Sequence, residues 1–145
     1  MRYLFGFLCV CTLGVLPLGF VSCGDEAAML APELFGTWES TYIEQNGMRS
    51  DDCLTDCATI TFNADGTYVL VIITDPVRGE GTWSTQGSIL TLTRTKVGPD
   101  VDNMQPFDPP RTTEYGWSVS GDTLAVSLPG TTSYWRKEST HEDGV

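Results

Sequence analysis

Ala58-Thr59-Ile60-Thr61-Phe62-Asn63-Ala64-Asp65-Gly66-Thr67-Tyr68-Val69-Leu70-Val71-Ile72-Ile73 decides how this chain is read. Its first five residues alternate small or apolar with threonine, the period of a half-buried strand, with Ile60 and Phe62 on the inward face. Asn63-Ala64-Asp65-Gly66 is a turn whose glycine accepts positive φ. Thr67 to Ile73 then forms a second strand, apolar on both faces, which predicts the most buried strand of the fold or one beneath a covering segment.

The same period of two extends in both directions. Upstream, Phe35-Gly36-Thr37-Trp38-Glu39-Ser40 opens a strand on which Trp38, Ser40 and Tyr42 share a face. Downstream, Gly79 to Thr85 carries Trp83, and Gln86-Gly87 signals a hairpin into Ser88 to Thr95, where Leu90, Leu92 and Arg94 share parity. Thr112 to Val119 places Tyr115, Trp117 and Val119 at alternate positions. Ser120-Gly121-Asp122 leads into Thr123 to Leu128, and Pro129-Gly130 into Thr131 to Lys137, which carries Tyr134, Trp135 and Arg136. No segment carries an apolar stripe of helical period and length. The predicted fold is all-β, an eight-stranded antiparallel up-and-down barrel, since closure removes the exposed edges that invite aggregation. A two-sheet sandwich is the competing arrangement.

Two connections are too long for hairpins. Gln45 to Asp56 contains Asp51, Asp52, Cys53 and Asp56, with Cys57 just beyond; Val97 to Arg111 contains Pro99, Pro106, Pro109 and Pro110. Strand parity puts both on one rim, as the expected mouth, and loops of this length are commonly functional.

Residues 1–22 read as an address. Arg2 supplies the one charge, Tyr3 to Val21 has none, and Ser22-Cys23 follows, the parts of an export signal. A membrane span competes, because about 18 apolar residues can cross a bilayer. Gly6, Gly14, Gly19 and Pro17 weaken such a helix, and no basic cluster follows it. Leu18-Gly19-Phe20-Val21-Ser22-Cys23 resembles a bacterial lipobox, which implies Cys23 as the acylated first residue of an exported lipoprotein, anchored to a membrane by its acyl chains. Gly24, rather than Asp, after the cysteine leans towards the outer membrane of the cell envelope. Residues 23–33 are then expected to be a flexible tether, 34–138 the barrel, and 139–145 a polar tail.

Composition excludes several partners. The chain has 19 acidic and 8 basic residues, a net charge of −11, and loses only Arg2 with the leader. Nucleic acid is excluded as a partner, because phosphates call for clusters of Lys and Arg. The same balance predicts that a ligand is uncharged or cationic rather than anionic.

Gly36-x-Trp38 on the first strand, eight short strands and Arg136 on the last resemble the lipocalin and lipocalin-like barrels. More narrowly, Phe35 to Trp38, Ile60 to Tyr68, Gly81-Thr82-Trp83-Ser84 and Leu90-Thr91-Leu92-Thr93 resemble small bacterial lipocalin-like lipoproteins. The resemblance implies a closure in which Trp38 plugs one barrel end and Arg136 packs across it.

Candidate chemistry is sparse. His141, the one histidine, stands in the polar tail, so no His-assisted nucleophile and no His-rich metal site is expected. Cys53-x3-Cys57 supplies two thiols, too few for a closed tetrahedral metal site; in an exported chain they predict a disulfide. Asp51, Asp52 and Asp56, or Asp100, Asp102 and Asp108, are oxygen donors of the kind Ca²⁺ takes, but at no recognised spacing. No enzyme activity, metal or cofactor is therefore expected. Tyr42, Tyr68, Trp83, Tyr115, Trp117 and Tyr134 are the candidate ligand-binding residues, against the plainer reading that they fill the barrel. Two functions follow: a lipid-anchored protein binding a small hydrophobic or aromatic ligand in or at the rim of the barrel, or a cavity-less interaction module for an envelope protein.

Overall fold

The computed structural model describes residues 28–51 and 57–139. The leader with Cys23, the first half of the tether, Cys53 and its neighbouring Asp52 and Asp56, and the tail beyond Ser139 with His141 lie outside the described residues.

Among the described residues, nine strands follow a short 3-10 turn at Pro32–Leu34: β1 (Gly36–Gln45), β2 (Met48–Ser50), β3 (Ala58–Phe62), β4 (Thr67–Ile72), β5 (Val77–Gln86), β6 (Ile89–Gly98), β7 (Gln105–Ser120), β8 (Thr123–Leu128) and β9 (Thr131–Lys137). From β3 to β9 each strand pairs antiparallel with the next in sequence; β1 pairs with β3 on one side and β9 on the other, which closes an eight-stranded antiparallel barrel. The short β2 stands outside this circuit and pairs with Ile43, Glu44 and Gln45 at the far end of β1.

The alternation read from the sequence becomes the inner face of the barrel. Trp38, Ile60, Phe62, Tyr68, Trp83, Leu90 and Leu124 are buried there, with Leu34 from the 3-10 turn. Burying one such side chain fully contributes about 1.5–3 kcal/mol, so this cluster is the chief support of the fold. It occupies one end of the barrel, that of the β3–β4, β5–β6 and β7–β8 turns and of both described termini. The opposite end carries the β1–β2 hairpin, the β4–β5 turn, the β6–β7 connection and the β8–β9 turn.

Three expectations are corrected. β4 is not the most buried strand: only Tyr68 is buried, and Val69, Leu70, Val71 and Ile72 are half-buried. A single-layer barrel covers only one face of each strand. Residues 28–33 are not a free spacer, because Met29 forms a β-bridge with Thr85 and Leu30 and Ala31 pack on the core. The proline-rich stretch from Val97 to Arg111 is not an open loop. β6 and β7 continue through it, pairing Val97 with Gln105 and Lys96 with Pro106, around a 3-10 turn at Val101–Asn103. Residues 107–110 bulge out between the Lys96–Pro106 and Arg94–Arg111 pairs, so Pro109 and Pro110 take no place in the ladder that would require their missing N–H.

Candidate functional site

The two ends of the barrel interior differ in what fills them. At the closed end, Trp38 is fully buried and its indole Nε1 donates to the Leu34 carbonyl at 2.9 Å. Gly36, with φ of 112°, takes a turn into β1 that a residue with a Cβ adopts only under strain. The cation across the plug is Lys137, whose Nζ lies 5.3 Å from the Trp38 ring centroid, within cation–π range. The expected Arg136 faces outward, 3.5 Å from the Glu39 carboxylate, with its side chain exposed. Register is the reason: β9 sets Lys137 opposite Trp38 and Arg136 opposite Glu39, so only the lysine shares the inward face.

Trp83 belongs to the same plug rather than to a ligand site. It is buried, packs edge-on against Phe35 and Phe62, and its Nε1 donates to the Asn63 carbonyl at 3.1 Å. Trp117 donates to the Gly87 carbonyl at 3.1 Å and borders a shallow groove beside Met29 to Glu33, again at the closed end. Tyr42 and Tyr134 are on the outside, stacked on one another with centroids 4.3 Å apart and Arg49 over the Tyr42 ring. A β-bulge at Thr41 causes this: Ser40 pairs with Trp135 but Tyr42 with Tyr134, so the extra residue inverts the parity of the rest of β1. Thr41 fixes the bulge by donating its hydroxyl to the Tyr134 carbonyl.

The remaining candidates, Tyr68 and Tyr115, line a cavity of about 250 Å³ in the other half of the interior. Leu70 from β4, Leu92 and Arg94 from β6, Arg111 and Thr113 from β7, and Leu128 at the end of β8 complete it. β5 passes between β4 and β6 with Gly79 and Gly81 at its inward positions, and this leaves the room. A Cβ on Gly79 would stand 3.3 Å from Arg94 Nε, so the guanidinium stem lies over a floor without side chains. Burial pushes the Tyr68 hydroxyl above its ordinary pKa, while the neighbouring Arg94 pulls the other way.

Arg94 was legible as inward by its parity with Leu90 and Leu92. Leu128 was legible likewise by its parity with Leu124 and Val126; Arg111, Leu70 and Thr113 were not, Arg111 because the prolines before it concealed a strand. Among the described residues the lining holds two arginines and no acid, so its local charge is opposite to the chain's net charge. Among the described residues, four exposed apolar side chains stand around the same rim: Met48, Ile73, Val101 and Leu128. Among the described residues no three His, Cys, Asp or Glu side chains converge as metal ligands, and Asp100 instead caps the 3-10 turn by accepting from the backbone N–H groups of Asp102 and Asn103.

Residues 34–105 match the family model of the lipocalin-like domain. The chain carries a lipocalin-like domain. Its barrel also superposes on the crystal structure of a lipocalin-like protein from Bacteroides uniformis, with a TM-score of 0.55 and 19% identity, over 73% of this chain and 99% of that one. At that identity the likeness is one of fold. No curated protein matches the chain.

Proposed function

We propose that this lipocalin-like protein is a lipid-anchored binding protein of the bacterial cell envelope, exported with Cys23 as its acylated first residue and holding a small ligand in the hollow half of its barrel. One observation carries the binding reading. The interior is solid with aromatic side chains at one end, yet keeps about 250 Å³ at the other, where the lining mixes leucines with a few polar tips. That volume is roughly eight waters at about 30 Å³ each, so the ligand is small or leaves part of itself outside. Binding rather than catalysis suits a site without a nucleophile–base pair. The address rests on the uncharged leader ending in Ser22-Cys23, with Gly24 favouring the outer membrane. A Cys53–Cys57 disulfide suits an exported chain, and the Cys57 thiol is engaged rather than free.

The test of binding is titration with a neutral apolar fluorophore, N-phenyl-1-naphthylamine, and its anionic counterpart 1-anilinonaphthalene-8-sulfonate. At least one should bind saturably. Tyr115→Ala, within the cavity, should change that affinity, whereas Trp117→Ala, at the closed end, should not. Absence of saturable binding by both probes to a folded barrel overturns the reading. The four apolar residues on the rim would then favour an envelope interaction module that meets a protein partner with that face. For the anchor, labelling by a fatty-acid probe should vanish in Cys23→Ser; equal labelling of wild type and variant contradicts it.

A further inference from the structure

We propose that Arg94 and Arg111 make the cavity an anion site, and that its ligand is a small amphipathic carboxylate whose head meets the two guanidinium groups. This rests on the cavity being a ligand site at all. The two arginines are a direct cross-strand pair between β6 and β7, and both line the cavity. Arg94 lies deeper and is half-buried; Arg111 is exposed at the mouth. Like charges directly opposite one another repel, and among the described residues no carboxylate forms an ion pair with either arginine. The ion pairs of the described residues are those of Arg49, Arg78 and Arg136, all elsewhere.

Arg94 Nε is the one buried side-chain nitrogen or oxygen among the described residues without a hydrogen-bond partner. Such a donor is normally satisfied, and the arginine that carries it lines the cavity. Its surroundings narrow the chemistry. Phe107 lies on one side, with its ring centroid 5.8 Å from Arg94 Cζ, and the Tyr68 hydroxyl borders the guanidinium. Glu80, the nearest acid along β5, faces outward and is held by Arg78 at 2.8 Å. The local field is therefore positive within a chain of net charge −11. A guanidinium fork matches a planar carboxylate with two parallel hydrogen bonds, while Leu70, Leu92 and Leu128 offer an apolar wall to the body behind the head.

The test uses the full chain carrying Cys23→Ser, so that no acyl chain competes, with bound naphthylamine or naphthalenesulfonate probe displaced by octanoate, 1-octanol or inorganic phosphate. Octanoate should displace at about tenfold lower concentration than octanol, the discrimination expected of a charge-assisted hydrogen bond. Arg94→Met and Arg111→Met should each abolish that preference and leave octanol unchanged, and Arg94→Lys, which keeps the charge but loses the fork, should restore only part of it. Circular dichroism checks that each variant folds. If the neutral probe binds saturably but octanol equals octanoate, or if the Met variants keep the preference, the anion site is refuted while the ligand-binding reading stands. Displacement by phosphate as strong as by octanoate refutes the amphipathic carboxylate. If neither probe binds, both readings fall together.

Discussion

The closed and open halves of this barrel are built from the same eight strands with opposite priorities. Inward positions near the β3–β4 and β5–β6 turns hold Trp38, Phe62, Tyr68, Trp83, Leu90 and Leu124, all buried. Where tryptophan N–H groups occur there, the backbone takes them up: Trp38 donates to Leu34 and Trp83 to Asn63. At the same radius in the other half stand Gly79, Gly81, Arg94 and Thr113, and a void remains. One half meets its hydrogen bonds and packs to density; the other leaves a donor open and a volume unfilled. Natural cores tolerate few voids and few unsatisfied polar groups, so the second half is shaped by something besides stability.

The comparison breaks most readily at Trp38. Trp38→Ala removes a fully buried indole that also holds the 3-10 turn, and should cost about 3–5 kcal/mol in chemical denaturation. A loss under about 1 kcal/mol would mean that the aromatic end is not the keystone. The lid on that plug gives a finer test. Lys137→Ala should cost about 0.5–2 kcal/mol and couple to Trp38→Ala in a double-mutant cycle. Arg136→Ala, on the outer face, should stay within about 0.5 kcal/mol and add independently. The reverse ranking would restore the arginine closure that the sequence suggested.

How much of this was legible follows from what periodicity can and cannot carry. Alternation reports which residues share a face, and from Ala58 to Phe62, Leu90 to Arg94 and Leu124 to Leu128 it held without interruption. It fails wherever one residue is inserted. The bulge at Thr41 carried Tyr42 to the outside, and nothing in Glu39-Ser40-Thr41-Tyr42 announces it. Lys137 and Arg136 are adjacent cations, and only the register against β1 tells which lies over Trp38. One feature had a readable signal and another a misleading one. Gln45-Asn46-Gly47-Met48 is the Asn-Gly hairpin pattern, and Asn46 and Gly47 both take positive φ between β1 and β2. The prolines before Arg111 argued for a loop, whereas two of them sit in a bulge that leaves the strand intact on either side. The anion-facing wall escaped because net charge averages over a surface whose acids point outward.

The smallest stability effect bears on the division itself. Arg94→Met removes the unpartnered donor and its charge while filling a similar volume, so a half that is kept for a ligand should not lose stability by it. In urea denaturation of the ligand-free protein, the midpoint of the variant should equal or exceed that of wild type. A loss of about 1.5 kcal/mol or more would show that Arg94 serves the fold, and would contradict the division of the barrel into a half that holds the structure and a half that holds a ligand.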